Sequence, residues 1–382
     1  MKKYLLILLA LFPVFSQSQT KFNFLDKFAV VNYTNIDTAN VETKEMVNVW
    51  TSYLKSRLYG WLKKNDTLGA GYWNNEERKL TTFPDQMCFL YPWLYYFPTT
   101  ILNIEPCGDG FFRILNSNTE ADSNGIVDTK AIYYVLIKKI NNEYKLFNFF
   151  YHEKDQLNAF TMGMIRFYYP QSYHFSDLKA RKLIRFQDSL SRLFDLPLHE
   201  KLDYVVDSDN ASLIRHFGCI YLKTFYTNKS GQYWKENHTL LSSFDENDQH
   251  EMVHYFTSAR FTDYIHFFDE GIATYLGGSL GHDLSWHIAK LNNYFNRAGA
   301  DTANIMNHPR IGRETQPFYV TGGIIMKYAV DNYGFQKALK LLSYSEEHHT
   351  PEEVIEKELG IPKAELNAFF LKYITKHKLD KN

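Results

Sequence analysis

The chain has 382 residues, which exceeds the usual size of one domain and predicts two folded units. Its hydrophobic share of 45% and aromatic share of 17% are typical of a packed globular protein and exclude a disordered or collagen-like one. The formal net charge of -1 provides no electrostatic footprint for nucleic acid or for an anionic membrane surface. We therefore expect no nucleic-acid partner.

The first twenty residues, MKKYLLILLALFPVFSQSQT, have the three regions of a secretory signal peptide. Lys2 and Lys3 form a basic start, Leu5 to Phe15 an apolar core, and Ser16 to Thr20 a small, polar exit. The apolar core is too short to span a bilayer well, and no later stretch reaches about eighteen apolar residues. We expect a cleaved signal peptide over residues 1–20 rather than a retained anchor. The mature chain is then exported to the periplasm or the extracellular space, without a membrane span.

Export makes disulfides possible, but the chain has only three cysteines. Cys88 and Cys107 are the candidates for a disulfide, because both lie in the first half of the chain. The alternative, in which these two and Cys219 are buried thiols, stays open. None of the three has the close spacing of a metal-binding cysteine pair.

The sequence pattern over residues 21–160 predicts an N-terminal α+β domain. Val41 to Lys64 has apolar side chains at helical spacing, namely Met46, Val49, Trp50, Tyr53, Leu54, Trp61 and Leu62. From CFLYPWLYYF onward the pattern changes to short aromatic and β-branched runs, and NN between AIYYVLIKKI and YKLFNFFYH is a hairpin signal. One helix followed by a curved antiparallel sheet resembles the cone-like folds of cystatin-like and SnoaL-like proteins. The role of this domain stays open.

The sequence pattern over residues 161–382 predicts a second α+β domain with a small sheet and a mainly helical C-terminal half. Ser176 is expected to cap a helix with one apolar face, formed by Leu183, Phe186, Leu190 and Phe194. KLDYVV and HTLLSSF are predicted strands, and HTLLSSF is either an edge strand that pairs with a substrate or an ordinary sheet strand. Thr350, Pro351 and Glu353 predict a capping box.

The functional prediction depends on the segment DQHEMVHYFTSARFTDYIHFFDEGIATY. His250 and His254 are four residues apart on a predicted helix, capped by Asp245 or Asn247, so the two imidazoles lie on one face. Two neutral imidazoles at this spacing bind Zn²⁺ in the H-E-x-x-H arrangement, with Glu251 displaced around the helix toward a water on the metal. The alternative is a solvated helix that carries two histidines without a common ligand.

A third ligand separates these alternatives. The metzincins have a histidine six residues after the second one, but Arg260 lies there, so that class is excluded. A carboxylate on a following helix is the other solution, and Glu270 in FFDEGIATYLGG provides it. Gly271 lets that helix pack closely against its neighbour. The adjacent Asp269 is expected either to face solvent or to orient a ligand histidine.

This pattern resembles the gluzincins, and especially the bacterial peptidase MA-like group, in which H-E-x-x-H is followed by an E-G-x-A-x-Y helix. The matching residues are His250, Glu251, His254, Glu270, Gly271, Ala273 and Tyr275. The spacing from the second histidine to the glutamate is shorter than in thermolysin or the aminopeptidase N-like enzymes and agrees with the peptidase MA-like proteins. PFYVTGGIIMKYAVDNYG resembles the Y-x-x-G segment of aminopeptidase N-like enzymes, with Tyr319 and Gly322 at the defining positions. The resemblance covers roughly residues 170–375.

The resemblance implies a thermolysin-like catalytic domain that holds one Zn²⁺ with His250, His254 and Glu270. It also implies that Glu251 is the general base for a zinc-bound water and that Tyr319 donates a hydrogen bond to the oxyanion. We therefore expect an exported zinc metallopeptidase that hydrolyses peptide bonds in a peptide or protein substrate. The G-x-M-E-N segment that holds a free amino terminus in aminopeptidase N-like enzymes is absent from the sequence, which favours an endopeptidase.

Thr274 departs from the thermolysin-like pattern, because an aspartate that steadies a ligand histidine is found at its position there. The partner of that histidine is therefore open. His266 and His308 are expected to be surface or core histidines rather than ligands. Two other functions remain open, an exported non-catalytic protein that zinc stabilises and a zinc hydrolase that acts on a non-peptide bond. The presence of Glu251, which is no ligand, favours an enzyme. The sequence does not indicate the oligomeric state or the cleavage preference.

Overall fold

The computed structural model describes residues 29–32, 34–63, 69–74, 99–121, 123–197, 201–223, 229–297 and 299–376. The predicted signal peptide and Cys88 lie outside these residues, so the cleavage and the Cys88–Cys107 disulfide stay predictions. Within the described part of the chain, no helix is long and apolar enough for a membrane crossing.

The chain divides into two compact units, one within residues 1–75 and 87–146 and the other within 76–86 and 147–382. Residues 147–160, which the sequence pattern assigns to the first domain, therefore belong to the second unit. Phe150 gives a physical reason, because its ring is 1% exposed and packs against Tyr168 at 5.6 Å and Phe217 at 4.8 Å. An aromatic side chain of this size contributes a large buried area wherever it packs.

The first unit contains one long helix, as predicted, and a sheet that is mixed rather than wholly antiparallel as expected. Helix α1 spans Val41–Lys63, and its side chains Met46, Trp50, Tyr53 and Leu54 are buried. The sheet has the order β1-β2-β3-β4-β5, with the bounds Ala29–Val31, Thr99–Gly108, Phe111–Ala121, Val127–Ile140 and Glu143–Phe147. The β1–β2 pair is parallel, and the β2–β3 and β3–β4 pairs are antiparallel.

This unit has a predicted hairpin turn and a buried hydrogen bond between its helix and its sheet. Asn141 and Asn142 have φ of 48° and 66°, as the two central residues of a type I′ turn require, so the predicted turn between β4 and β5 is confirmed. The indole nitrogen of Trp50 donates to Asn116 Oδ1 at 2.8 Å, which pairs two buried polar groups between the helix and the sheet.

The second unit begins with a small mixed sheet of order β10-β11-β8-β7-β6. Its strands are β6 Asn158–Met162, β7 Ile165–Tyr169, β8 Leu202–Val206, β10 Gly231–Trp234 and β11 Thr239–Ser242, while β9 covers Cys219–Leu222. The central pairs β7–β8 and β8–β11 are parallel, and the outer pairs are antiparallel. HTLLSSF thus forms β11, an interior strand, and the two edges of the described sheet are β10, next to β11, and β6.

The rest of this unit is mainly helical, as predicted. The helices are α2 Phe149–Glu153, α3 Asp177–Phe194, α4 Asn210–Arg215, α5 Gln249–Arg260, α6 His266–Gly277, α7 Leu284–Phe295, α8 Pro317–Tyr333, α9 Phe335–Leu342, α10 Pro351–Leu359 and α11 Leu366–Lys376. Ser176 caps α3, and the capping box of Thr350 and Glu353 begins α10, so both predicted helix starts are confirmed.

One hydrophobic core joins the sheet to these helices. It includes Phe167, Tyr204 and Leu240 from the sheet, and Phe256 and Phe268 from α5 and α6, all completely buried. Apolar side chains of α5 and α6 anchor both helices in this core, and α6 is buried on all sides from Phe267 to Thr274, so the polar residues of these helices are held at defined positions. The fold is α+β in both units, and this core fixes the helices that carry the predicted ligands.

Candidate metal centre

Helix α5 carries the histidine pair and is capped by Asp248, so the predicted caps Asp245 and Asn247 are wrong. Asp248 Oδ1 accepts from the backbone nitrogen of Glu251 at 3.4 Å, and its Oδ2 accepts from Ser242 Oγ at 2.8 Å. Asp245 instead accepts from the backbone nitrogen of Asn247, which forms the turn before the cap. Residues 243–248 join β11 to the helix, and the hydroxyl of Ser242 at the end of that strand holds the cap.

Three predicted ligands converge. His250 Nε2 lies 3.2 Å from His254 Nε2 and 3.2 Å from Glu270 Oε2, and His254 Nε2 lies 3.6 Å from the same oxygen. Their side chains are only 10–12% exposed. Within the described part of the chain they form the one group of three side chains whose ligand atoms could share a metal ion. Tetrahedral Zn²⁺ with bonds of about 2.0–2.1 Å separates its ligand atoms by roughly 3.4 Å, which agrees with these distances.

The other nitrogen of each histidine has its own acceptor. His250 Nδ1 lies 2.6 Å from the carbonyl oxygen of Gly278, and His254 Nδ1 lies 2.9 Å from Asp269 Oδ2. The Thr257 hydroxyl donates to the second oxygen of Asp269 at 2.6 Å. Of the two expectations for Asp269, exposure to solvent is wrong, because the carboxylate is buried and pairs with His254, a candidate ligand. Because Thr274 replaces the expected aspartate, the sequence had left the partner of the other histidine, His250, open. The structure shows that this partner is the carbonyl oxygen of Gly278.

These partners determine which atoms face the centre. Because each Nδ1 donates its hydrogen outward, a neutral imidazole presents the lone pair of Nε2 inward. Two such lone pairs and a carboxylate oxygen within 3.6 Å of one another repel unless positive charge lies between them. The donor set of two imidazole nitrogens and one carboxylate oxygen therefore fits a zinc ion, and its outer partners are those typical of metal sites.

The carboxylates favour positive charge at this centre. Although burial acts to lower it, the charges of Asp269 and Glu270 raise the pKa of His254 well above its ordinary value. Burial acts to raise the pKa of Glu270, but the adjacent His254 and His250 hold it well below its usual range. Both shifts have the sign expected where a cation is stabilised by surrounding carboxylates.

Glu270 is positioned by a close crossing of α6 and α8. A Cβ atom added to Gly271 would lie 2.6 Å from the backbone carbon of Gly322, and one added to Gly322 would lie 2.6 Å from the Phe267 carbonyl oxygen. Only glycine permits this approach on both helices. The glycines of the E-G and Y-x-x-G segments are thus packed directly against each other, which places Glu270 and Tyr319 on adjoining helices.

Glu251 lies next to the centre without belonging to the group of ligand atoms. It is 8% exposed, and burial raises the pKa of its carboxyl group to about 7. A Cβ atom on Gly231, the first residue of β10, would lie 2.6 Å from Glu251 Cγ and 2.9 Å from its Oε1. Glycine at this position therefore lets the edge strand run directly beside the carboxylate.

Tyr319 is close to the centre, and its ring stacks on that of His250 with centroids 6.2 Å apart. Burial raises the pKa of the Tyr319 hydroxyl well above its ordinary value, and the charge of Glu270 and a hydrogen bond to it act in the same direction. The hydroxyl thus stays protonated and can donate.

Two further histidines lie outside the group of ligand atoms. His266 is 56% exposed at the rim of the centre, with Nε2 3.7 Å from Glu270 Oε1. His308 packs against Tyr294 and Phe295.

Sequence reasoning missed several residues that shape the centre. Asp248, Gly231 and the carbonyl of Gly278 have no motif of their own, since their roles depend on contacts between segments distant in the chain. One signal was present for Gly231, because a glycine within a short strand pattern marks a close backbone approach. No protein-family model matches the chain, and neither does any curated protein.

Proposed function

We propose that this chain is an exported zinc-dependent metallopeptidase of the gluzincin type, related to the peptidase MA-like proteins. The convergence of His250, His254 and Glu270 carries the proposal, because each atom that faces the centre is a metal-ligand atom and each histidine has an outer acceptor. Three protein ligands leave one position of a tetrahedral site for a reactant, as in catalytic rather than structural zinc sites. A bound zinc ion would supply Lewis acidity toward a carbonyl group and toward water.

The chain's own residues would perform the remaining steps. Glu251, a carboxylate beside the ligands with a pKa of about 7, accepts a proton from the attacking water and passes it to the leaving amine. The Tyr319 hydroxyl donates a hydrogen bond to the oxyanion that develops on the substrate carbonyl. The edge strand β10, which begins against Glu251, offers backbone groups to an extended peptide. An extended substrate bound in this way favours internal cleavage.

The test compares the purified mature protein with Glu251→Gln and with Glu347→Gln, an exposed control. Zinc content is measured by mass spectrometry, and hydrolysis is measured on casein and on peptides with blocked amino termini. We expect one zinc per chain in all three proteins and cleavage of blocked peptides by the wild type and the control. Glu251→Gln should lose about 10²–10⁴-fold in kcat while keeping its zinc.

Other outcomes separate the alternatives. Zinc in every protein without cleavage of any peptide would favour the non-catalytic binding protein or a hydrolase of another bond. Cleavage only of peptides with a free amino terminus would replace the endopeptidase with an aminopeptidase. Absence of zinc from the wild type would overturn the proposal.

A further inference from the structure

His287 on α7 is a buried histidine outside the candidate centre that links two segments leading to it. It is 1% exposed, its Nε2 lies 2.9 Å from the Ser279 carbonyl oxygen, and its Nδ1 lies 3.1 Å from Thr315 Oγ1. Burial lowers the pKa of His287, so the ring is neutral at pH 7. A neutral ring that donates from Nε2 to the carbonyl accepts the Thr315 hydroxyl at Nδ1, which satisfies both nitrogens.

The first segment holds the ligand His250. Ser279 follows Gly278, whose carbonyl oxygen lies 2.6 Å from His250 Nδ1. Ser279 and His282 exchange two backbone hydrogen bonds of 2.8 and 3.0 Å, which close the turn. The chain just before the turn lies directly against α5, because a Cβ atom on Gly277 would be only 2.6 Å from the backbone nitrogen of His250.

The second segment leads to Tyr319. The carbonyl of Thr315 accepts from the backbone nitrogen of Ile311 at 2.8 Å, which closes the loop before α8. Gln316 follows Thr315 directly, and its carbonyl accepts from the backbone nitrogen of Tyr319 at 3.1 Å. The Thr315 side chain therefore lies one helical turn before the tyrosine, and His287 is its acceptor.

We propose that His287 is a positioning residue that holds the 278–279 turn against the ligand His250 and holds the start of α8, and with it Tyr319, through Thr315. This inference rests on the proposed function. A buried hydrogen-bonded side chain between two backbone segments restricts both of them, and outer partners of a metal ligand control the orientation of its ring. His287 thereby couples a metal ligand to the hydroxyl donor across two loops of the second unit.

The test measures zinc affinity by competition with a chromophoric chelator, together with the visible spectrum of the Co²⁺-substituted protein and the thermal midpoint of each variant. His287→Phe keeps the ring but loses both hydrogen bonds, and we expect its zinc dissociation constant to rise about tenfold or more, with a changed Co²⁺ spectrum. His287→Gln can still donate to the Ser279 carbonyl, so it should recover the wild-type spectrum and most of the affinity. Thr315→Val removes only the second hydrogen bond and should lower kcat at unchanged zinc affinity.

Asn292→Ala is the control for stability alone, since Asn292 is buried on the same helix and bonds to Asn296 rather than to the turn. It should lower the thermal midpoint and leave zinc affinity and the Co²⁺ spectrum unchanged. The inference is overturned if His287→Phe has the zinc affinity and spectrum of the wild type, or if Phe and Gln variants lose affinity equally. If the wild type binds no zinc, the proposed function fails together with this inference. If the wild type binds zinc and His287→Phe does not differ from it, only this inference fails. If His287→Phe does not fold, the Gln and Thr315→Val variants decide, and normal kcat in Thr315→Val overturns the link to Tyr319.

Discussion

The two ring nitrogens of each candidate ligand histidine have different roles, and those roles come from residues outside the H-E-x-x-H motif. The Asp269 carboxylate accepts hydrogen bonds from His254 Nδ1 and from the Thr257 hydroxyl, while the backbone carbonyl of Gly278 accepts one from His250 Nδ1. A carboxylate and a carbonyl both fix the tautomer, but only the carboxylate adds negative charge near the candidate metal centre. The two histidines are therefore expected to respond differently to changes in their partners.

Asp269→Asn tests the charged partner. The amide retains size and one acceptor oxygen but loses the charge, so we expect zinc affinity to fall about 10–100-fold. Chelator competition provides the measurement. Asp331→Asn, at an exposed ion pair with Lys327 on α8, is the matched control and should bind zinc like the wild type. An unchanged affinity in Asp269→Asn would show that orientation alone, without charge, supports His254.

For two buried threonines on neighbouring helices, we expect replacement by valine to have opposite effects on stability. The Thr257 hydroxyl donates to Asp269, whereas Thr274 Oγ1 has no hydrogen-bond partner among the described residues. Replacing each by valine keeps the shape and removes the hydroxyl. We expect Thr257→Val to lose about 1–3 kcal/mol in the free energy of unfolding and Thr274→Val to be neutral or more stable. Urea denaturation measures both, and a loss in Thr274→Val would mean that its hydroxyl is bonded.

At the scale of elements, the decisive contact is the crossing of α6 and α8 at Gly271 and Gly322. The glutamate ligand and the candidate hydroxyl donor are on different helices, and their separation depends on how closely these helices approach. Glycine on both sides allows backbone contact without side chains between them. The E-G and Y-x-x-G patterns are thus two halves of one helix packing.

Gly271→Ala tests this crossing. Alanine is the better helix former by about 1 kcal/mol, so helix propensity alone predicts stabilisation. The added Cβ atom would lie 2.6 Å from the Gly322 backbone, however, and separating the helices should cost about 1–3 kcal/mol and weaken zinc binding by moving Glu270. Gly71→Ala, where a Cβ atom meets nothing within 4 Å, is the control. Greater stability in Gly271→Ala would contradict the packing argument.

The strands show where sequence patterns stop being informative. HTLLSSF and KLDYVV are strands as predicted, because short β-branched and apolar runs fit a buried sheet. The order in the sheet was not predictable, since pairing is a long-range property. The four-residue strand β10, with the sequence GQYW, lies outside β11. The edge strand beside Glu251 was therefore missed, although the interior strand next to it was found.

For the whole molecule, the second unit contains every predicted ligand and the first contributes none. Zinc should then stabilise the second unit alone, because a ligand that binds only the folded state adds free energy to the unit that holds it. Free zinc at a thousandfold excess over its dissociation constant corresponds to about 4 kcal/mol, or a rise of roughly 10 °C in the thermal midpoint.

Calorimetry with and without EDTA measures this effect. We expect chelation to lower the midpoint of the second unit and added zinc to restore it. His254→Ala should show no dependence on zinc, whereas Glu251→Gln should keep the full shift, since its carboxylate is no ligand. An equal shift of both units, or a shift that persists in His254→Ala, would place the stabilising metal elsewhere.

Residue types and spacing alone predicted the α+β class, the helix that holds the histidine pair, and the three ligand candidates His250, His254 and Glu270. These properties depend on residue type and on spacing within or between neighbouring helices, which the chain expresses locally. The three-dimensional packing was needed to show that Asp269 and the Gly278 carbonyl orient the histidines, that Asp248 is the helix cap, and that β10 is an edge strand of the small sheet. The physical reason is that hydrogen-bond partners and strand neighbours are chosen by the packing of distant segments, and no spacing along the chain encodes which of several suitable groups will meet.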